Sequence, residues 1–470
     1  MTIEQIYTGC LAQGAYYIKS EGEAAIIDPL REVSPYISRA KADGVNIKYV
    51  FETHFHADFV SGHVTLAEAT GATIVYGPSA KTDFDAHIAS DGEIFKVGAI
   101  TIKVLHTPGH TMESSTYLLQ DASGNPHAIF TGDTLFLGDV GRPDLAQKAD
   151  SVTQEDLAGL LFDSLRTKIM PLPDDITVYP GHGAGSACGK NMMKETVDTL
   201  GNQKKMNYAL RADMSKAEFI KEVTTGLLPP PGYFPANVMM NKKGYAPIDK
   251  VLSKGVTPLD PNSFEESANF NEALILDVRS AEDYAKGHIP GSIFIGLKGG
   301  FAPWVGALIV DVQQPLLLVV NEGEAKEAVT RLSRVGFDHT LGYLEGGMAS
   351  WINSGKEIDT VNTITVNDFE ATYLDQPSKI IDVRKVTEYQ SEHLKVAENA
   401  PLSNINAHLK LFSETQDKVF IHCQGGYRSM IAASILKSRG IHNFTEVRGG
   451  YAALAKTQIP KTDYVCPSTL

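Results

Sequence analysis

The sequence predicts an α/β protein of three modules, with two kinds of sheet in one chain. Three observations lead there. The first 200 or so residues alternate short β-rich runs with turn signals, as two sheets with helices packed outside them require. A Pro- and Gly-rich stretch, "LLPPPGYFPANVMMNKKGYAPID", then reads as a partly packed connector. Beyond it the chain repeats itself at an interval of about 102 to 105 residues, the size of a domain rather than of a solenoid repeat. A length of 470 residues agrees, since one core serves roughly 150. The boundaries are read as 1–240, 241–360 and 361–470.

The elements follow in order. "AYYIKS" and "AAIIDP" form a hairpin. "IKYVFETH", "ATIVYGP", "AITIKVLHTPGH", "STYLLQD", "HAIFTGD" and "ITVYPGHG" supply further strands, and "SGHVTLAEATG" has a helical pattern. "KNMMKETVDTLGNQKKMNYALR" reads as a long polar-faced helix. In the repeated part, "LILDVRSAEDYAKGHIPGSIFIGL" corresponds to "KIIDVRKVTEYQSEHLKVAENAPLSNI", "LLLVVNEGEAKEAV" to "KVFIHCQGGYRSMI", and "YLEGGMASW" to "EVRGGYAAL". Each copy runs apolar strand, acidic turn, helix, buried strand, loop, helix, which is a small unit with a parallel sheet.

Composition narrows the function. Hydrophobic content of 43% and charge of 21% are ordinary for a soluble globular protein. A net charge of −14 argues against nucleic acid as the main partner. No apolar run reaches the ~20 residues of a membrane span, and the start lacks a secretory pattern. Four widely spaced cysteines (Cys10, Cys188, Cys423, Cys466) point to free thiols in a reducing compartment, hence the cytoplasm.

Two stretches carry chemistry. His54, His110, Asp133 and His182 each follow an apolar strand run, so the sheets can deliver them to one rim. His56 and Asp58 extend the first loop. Imidazole and carboxylate donors of this kind suit Zn, Fe or Mn. His63, on the following helix, is read as structural. Asp28 is read either as a group on the floor of the site or as a turn residue. Cys188, near His182, either lines the site or packs inertly. In the second stretch, "IHCQGGYRSM", Cys423 follows a buried strand and precedes Gly425, Gly426 and a helix. Backbone N–H groups in such a loop, with Arg428 beside it, favour a thiolate. Four residues separate Cys423 from Arg428; five make the wider phosphate cradle of cysteine phosphatases, and the shorter loop suits sulfur. In the middle repeat Asn321 stands in the cysteine position and Glu324 replaces a loop glycine, so sulfur transfer is not expected there.

"THFHADF", "TPGHT", "FTGDTLF" and "YPGHG" resemble the metallo-β-lactamase superfamily over roughly residues 1 to 240. "IIDVRKVTEY", the cysteine loop and "VRGGYAAL" resemble a rhodanese domain, and "DVRSAEDYAKGHIPGS" a second one. The whole chain is similar to fused persulfide dioxygenase–rhodanese proteins with a degenerate middle rhodanese. The resemblance implies an αββα sandwich followed by two rhodanese-like domains with parallel sheets. A two-metal member of the superfamily carries a histidine where this chain has Phe59, and phenylalanine donates no lone pair. One Fe(II) per chain is therefore expected at His54, His110 and Asp133, a two-His, one-carboxylate set with open positions, with His56, Asp58 and His182 around it. "GDVGRPDLAQ" resembles a segment of the persulfide dioxygenases, in which Arg142 either binds a substrate carboxylate or braces its loop.

The implied activity is oxidation of a low-molecular-weight persulfide such as glutathione persulfide by O2 to sulfite, followed by sulfur transfer through Cys423 to give thiosulfate, in sulfide detoxification. An exposed middle module leads us to expect a homo-oligomer. The alternatives are a glyoxalase II-like thioester hydrolase fused to a sulfurtransferase, which needs two metals, a sulfurtransferase with an inert first domain, and a persulfide sensor that consumes no O2.

Overall fold

The computed structural model describes residues 1–146, 152–227, 229–414 and 418–466. Gln147, at the end of "GDVGRPDLAQ", Leu228 in the connector, and the last four residues of the third module lie outside them. The chain divides into two compact units. One comprises Met1–Lys250 with Leu332–Gly336, the other Val251–Arg331 with Phe337–Leu470.

The first unit holds two six-stranded sheets. One places Thr2–Thr8, Gln13–Ser20, Glu23–Ile27, Asn46–Phe51, Thr73–Tyr76 and His87–Ile88 side by side in that order. The other runs Asp198–Thr199, Thr177–Pro180, Pro126–Gly132, Ser115–Gln120, Ile100–His106, Ile94–Val97. Alternation along the strands explains the layering. Tyr16, Ile18, Tyr117, Leu119, Ala128 and Phe130 point between the sheets. Their neighbours Ala15 and Tyr17 meet Tyr36, Ala40 and Leu66 on outer helices, while Leu118 and Ile129 meet Leu161 and Phe219 on the other side. Strands apolar on both faces need helices on both faces, and the result is an αββα sandwich.

Two sequence expectations for this unit change. The segment read as a long helix over 190–211 is helical only at Leu200–Met206, with a short 3-10 turn at Tyr208–Leu210. The amides of Lys190 and Asn191 donate to the Asp139 carboxylate, and the Met193 amide donates to the Leu137 carbonyl, so these groups bond the fold rather than a helix. The connector, in turn, contains a helix, Phe234–Lys243, with proline in its first turn, where a missing N–H does no harm.

The second unit holds two five-stranded sheets, every pairing in them parallel. Pro258–Leu259, Thr340–Leu344, Leu316–Val319, Leu274–Asp277, Ile293–Phe294 is the order of the first. Thr363–Ile364, Phe444–Val447, Val419–His422, Lys379–Asp382, Ala397–Asn399 is that of the second. The two orders match strand for strand, as the internal repeat requires. Their central strands, Leu316–Val319 and Val419–His422, are buried along their whole length. Among the described residues no helix is long and apolar enough to cross a membrane.

Candidate metal centre and cysteine loop

Strand ends deliver the metal-type side chains of the first unit to one place. His54 lies beyond Asn46–Phe51, His110 beyond Ile100–His106, Asp133 directly after Pro126–Gly132, and His182 beyond Thr177–Pro180. Ligand atoms of His54, His110 and Asp133 fall within 4.8 Å of one another. So do those of His56, Asp58 and His182, and those of Asp133, His182 and Cys188. All are buried.

Surrounding groups aim the first set. The His110 Nδ1–H donates to the Arg142 carbonyl at 2.8 Å, which leaves Nε2 with a free lone pair facing Asp133 Oδ2 at 3.4 Å. The Thr53 hydroxyl donates to Asp28 Oδ2 at 2.8 Å and lies 3.0 Å from His54 Nδ1, from which it accepts. Burial, with His56, His110 and His182 nearby, pushes His54 well below the ordinary imidazole range, so it is a neutral donor. Neither Asp133 oxygen has a hydrogen-bond partner among the described residues. His54, His110 and His182 stand 3.9, 3.4 and 3.6 Å from those oxygens, beyond direct hydrogen bonding, and a buried carboxylate spaced from imidazole nitrogens in this way fits a metal ion between them.

Asp28 serves the floor of the site. It holds φ of 49°, accepts the Thr53 amide at 2.8 Å, and stands 3.1 Å from His56 Nε2. Burial opposes a charge on His56, but Asp28 and Glu52 outweigh it and hold the imidazole well above its usual range. His182 is likewise lifted to about 9, burial being outweighed by Asp58 and Asp133. His63 is buried beside Tyr76, Phe84 and Tyr245, and burial drops it to about 3.

Phe59 is fully buried beside the second set. Its ring centroid lies 4.3 Å from that of His56 and 6.5 Å from that of His182. The loop around it is fastened by Asn241, which donates to the carbonyls of His56 and Phe59 and accepts from the Ser61 amide. Arg142 makes a bidentate pair with Asp144 at 2.6 and 2.7 Å and reaches the Ala187 carbonyl, so its guanidinium braces the loop that also holds His110. Cys188 lines the centre, and burial raises its thiol well above the ordinary range.

In the second unit Cys423 directly follows the strand Val419–His422, and the helix Tyr427–Ser438 begins four residues later. Gly426 takes φ of 110° and donates its amide to Cys423 Sγ at 3.1 Å. Gly450, at φ of 54°, lets the following helix approach so closely that an added Cβ would lie 2.4 Å from the Cys423 carbonyl oxygen. The amides of Tyr451 and Ala452 then donate to the carbonyls of Cys423 and Gln424. Arg428 is held by Glu388 at 2.5 and 2.8 Å. Arg384, paired with Asp382, reaches Gln424 in the loop and covers the Tyr451 ring. In the middle repeat Asn321 bonds Glu324 at 2.9 Å, within the same kind of loop.

Sequence reasoning missed Thr53, Glu52 and Asn241 at the first centre, and Arg384, Glu388, Ser429 and Glu446 at the second. Arg384 stood in the repeated "DVR", a signal that was available. Asn241, Glu388 and Glu446 act through contacts between separate segments, whereas Thr53, Glu52 and Ser429 lie beside the motif residues and only the fold shows what they bond.

The first unit is thus a two-sheet sandwich with a metal-type rim, and the second a pair of parallel-sheet modules, one with a cysteine loop. Residues 8–182 match the family model described as metallo-beta-lactamase superfamily, and residues 260–354 and 365–457 match that of the rhodanese-like domain. The chain belongs to the metallo-β-lactamase superfamily, with two rhodanese-like domains fused behind that fold. It is 31% identical over 211 residues to the human mitochondrial persulfide dioxygenase ETHE1, covering 44% of this chain and 74% of that protein. It is also 31% identical to the hydroxyacylglutathione hydrolase GloC of Haemophilus influenzae, over 40% of this chain and 94% of that one. A probable hydroxyacylglutathione hydrolase of Schizosaccharomyces pombe is 32% identical, and the match spans only 59% of its length. A crystal structure of a metallo-beta-lactamase from Staphylococcus aureus superposes with a TM-score of 0.64 at 33% identity, covering 73% of this chain and 98% of that one.

Proposed function

We propose that the chain is a persulfide dioxygenase joined to a thiosulfate-forming sulfurtransferase, divided into modules 1–240, 241–360 and 361–470. The observation that carries this reading is Phe59. A buried hydrocarbon ring sits against His56 and near His182, where a third nitrogen would complete a second metal site. The chain keeps His54, His110 and Asp133 for one Fe(II), whose open positions would supply a place for a persulfide sulfur and O2 to react. The protein's part is to aim the donors. The Arg142 carbonyl fixes His110, Thr53 and Asp28 fix His54, and burial keeps His54 neutral. RSSH, O2 and water give RSH and sulfite. A second RSSH passes its outer sulfur to Cys423, and sulfite removes it as thiosulfate.

The test is O2 uptake by anaerobically purified, Fe(II)-loaded protein given glutathione persulfide, with metal analysis of the same sample. One iron per chain with rapid uptake is expected. A second reading is a two-metal thioester hydrolase, favoured by the approach of His56, Asp58 and His182 to within 4.8 Å and by the hydrolase relatives. Two zinc ions per chain, no uptake and hydrolysis of a glutathione thioester would replace the first reading with the second.

A further inference from the structure

Behind Cys423 lies a short chain of polar atoms. Ser429 Oγ stands 3.4 Å from Cys423 Sγ and 2.7 Å from Glu446 Oε1. Ser429 is fully buried, and Glu446 and Cys423 are 1% exposed. We propose that Glu446 is a positioning residue that takes up and returns the Cys423 proton through the Ser429 hydroxyl. The proposal rests on the sulfurtransferase reading of Cys423.

A hydroxyl has one proton to donate. When Glu446 is ionised, the Ser429 proton points to Oε1 and the cysteine S–H donates to Oγ. When Glu446 is protonated, its O–H donates to Oγ and the Ser429 proton turns to the thiolate, which already accepts the Gly426 amide. The two states differ by two proton shifts along three atoms, with no heavy atom displaced. Among the described residues the Gly426 carbonyl, 3.0 Å from Ser429 Oγ, is a competing acceptor.

Glu446 can exchange its proton, because it borders a cavity of about 610 Å3 inside the second unit. The charged groups sharing that cavity are Arg279, Lys286, Lys298, Arg448, Glu282 and Glu324. Several pair among themselves or nearby: Arg279 with Asp277, Lys286 with Glu282, Lys298 with Glu324. Arg428 is turned to Glu388. Burial lifts Glu446 to about 7, the Ser429 bond and Arg448 opposing it, so the acid changes state at neutral pH. The degenerate repeat supplies an internal comparison. At the positions of Cys423, Ser429 and Glu446 it carries Asn321, Glu327 and Tyr343, so the thiol, the hydroxyl and the acid are all replaced.

The sulfur-loading step then balances. The thiol proton moves from Sγ to Oγ as the Oγ proton moves to Oε1. Sγ bonds the outer sulfur of RSSH, the S–S bond breaks, and RS⁻ leaves. The proton held on Glu446 returns through Ser429 or the cavity water to RS⁻, giving RSH and the Cys423 persulfide.

The test measures carboxamidomethylation of Cys423 by iodoacetamide against pH, read by mass spectrometry of its peptide in the full chain. Sulfur loading from glutathione persulfide is followed in parallel. Wild-type alkylation should carry a step near neutral pH, where Glu446 itself ionises. In Glu446→Gln and Ser429→Ala that step should vanish, with the neutral-pH rate down on the order of tenfold. Glu446→Asp, which keeps the carboxylate, should retain a rise near neutrality. A Glu446 that is only a nearby negative charge gives the opposite sign, because its removal favours the thiolate and speeds alkylation. An unchanged or faster rate in Glu446→Gln overturns the proposal. If the alkylation profiles behave as expected but wild-type Cys423 acquires no sulfur, the relay stands and the sulfurtransferase reading falls.

Discussion

At position 59 the proposed function makes one side chain decide how many cations the rim holds. Asp58 and His182 already stand close to His56, and what the second set lacks is a further neutral nitrogen. Phe59→His supplies it at a buried position where the wild-type ring touches imidazoles on one side. Metal analysis of this variant should rise from one ion per chain toward two. Without metal the variant should be less stable than wild type by about 1–3 kcal/mol, since an unpartnered polar ring is buried in place of an apolar one. A variant that still binds one ion would mean that Phe59 does not set the metal count. The clustering of His54, His110 and Asp133 was legible in the sequence because each follows an apolar strand, with glycines beside His110 and Asp133. The orientation of His110 was not, because the carbonyl that fixes it belongs to Arg142 in another loop. Nor could the sequence choose between the two readings of Arg142. The structure adds Asp144, two residues on, whose carboxylate meets that guanidinium once the turn is formed.

Elements were legible where the pattern was local. The strands of the sandwich and the helix at His63–Thr70 follow from alternation and turn residues. The helix Phe234–Lys243 was hidden by the prolines and glycines around it, which read as a connector. It also carries Asn241, whose single side chain joins two carbonyls and one amide of the loop at 56–61. Asn241→Ala leaves those buried groups without partners, at a cost of roughly 2–3 kcal/mol. The expected result is a lower denaturation midpoint together with weaker metal retention on dialysis, because the loop holding His56 and Asp58 loses its fastening. Equal loss of stability with unchanged metal content would show that this helix supports the fold but not the site.

On the scale of the whole chain, the repeat was the most legible feature, and its two sheets do share one strand order. With Asn321 in the cysteine position of the middle repeat, the chain carries a single cysteine loop of this kind. This bears on stoichiometry. If the first centre makes sulfite and Cys423 passes a second sulfur to it, the intact chain consumes two persulfides for each O2 and releases thiosulfate. Cys423→Ser removes only the second step, so the ratio should fall to one persulfide per O2 and sulfite should accumulate. The reciprocal experiment removes iron by chelation. O2 uptake should stop, while Cys423 still acquires sulfur from persulfide and still yields thiosulfate when sulfite is added. The outcomes are read from persulfide and O2 consumed, sulfite and thiosulfate formed, and the sulfur carried by Cys423. Thiosulfate made at the wild-type rate by Cys423→Ser would mean that the metal centre completes the chemistry alone, and the cysteine loop would then need another substrate.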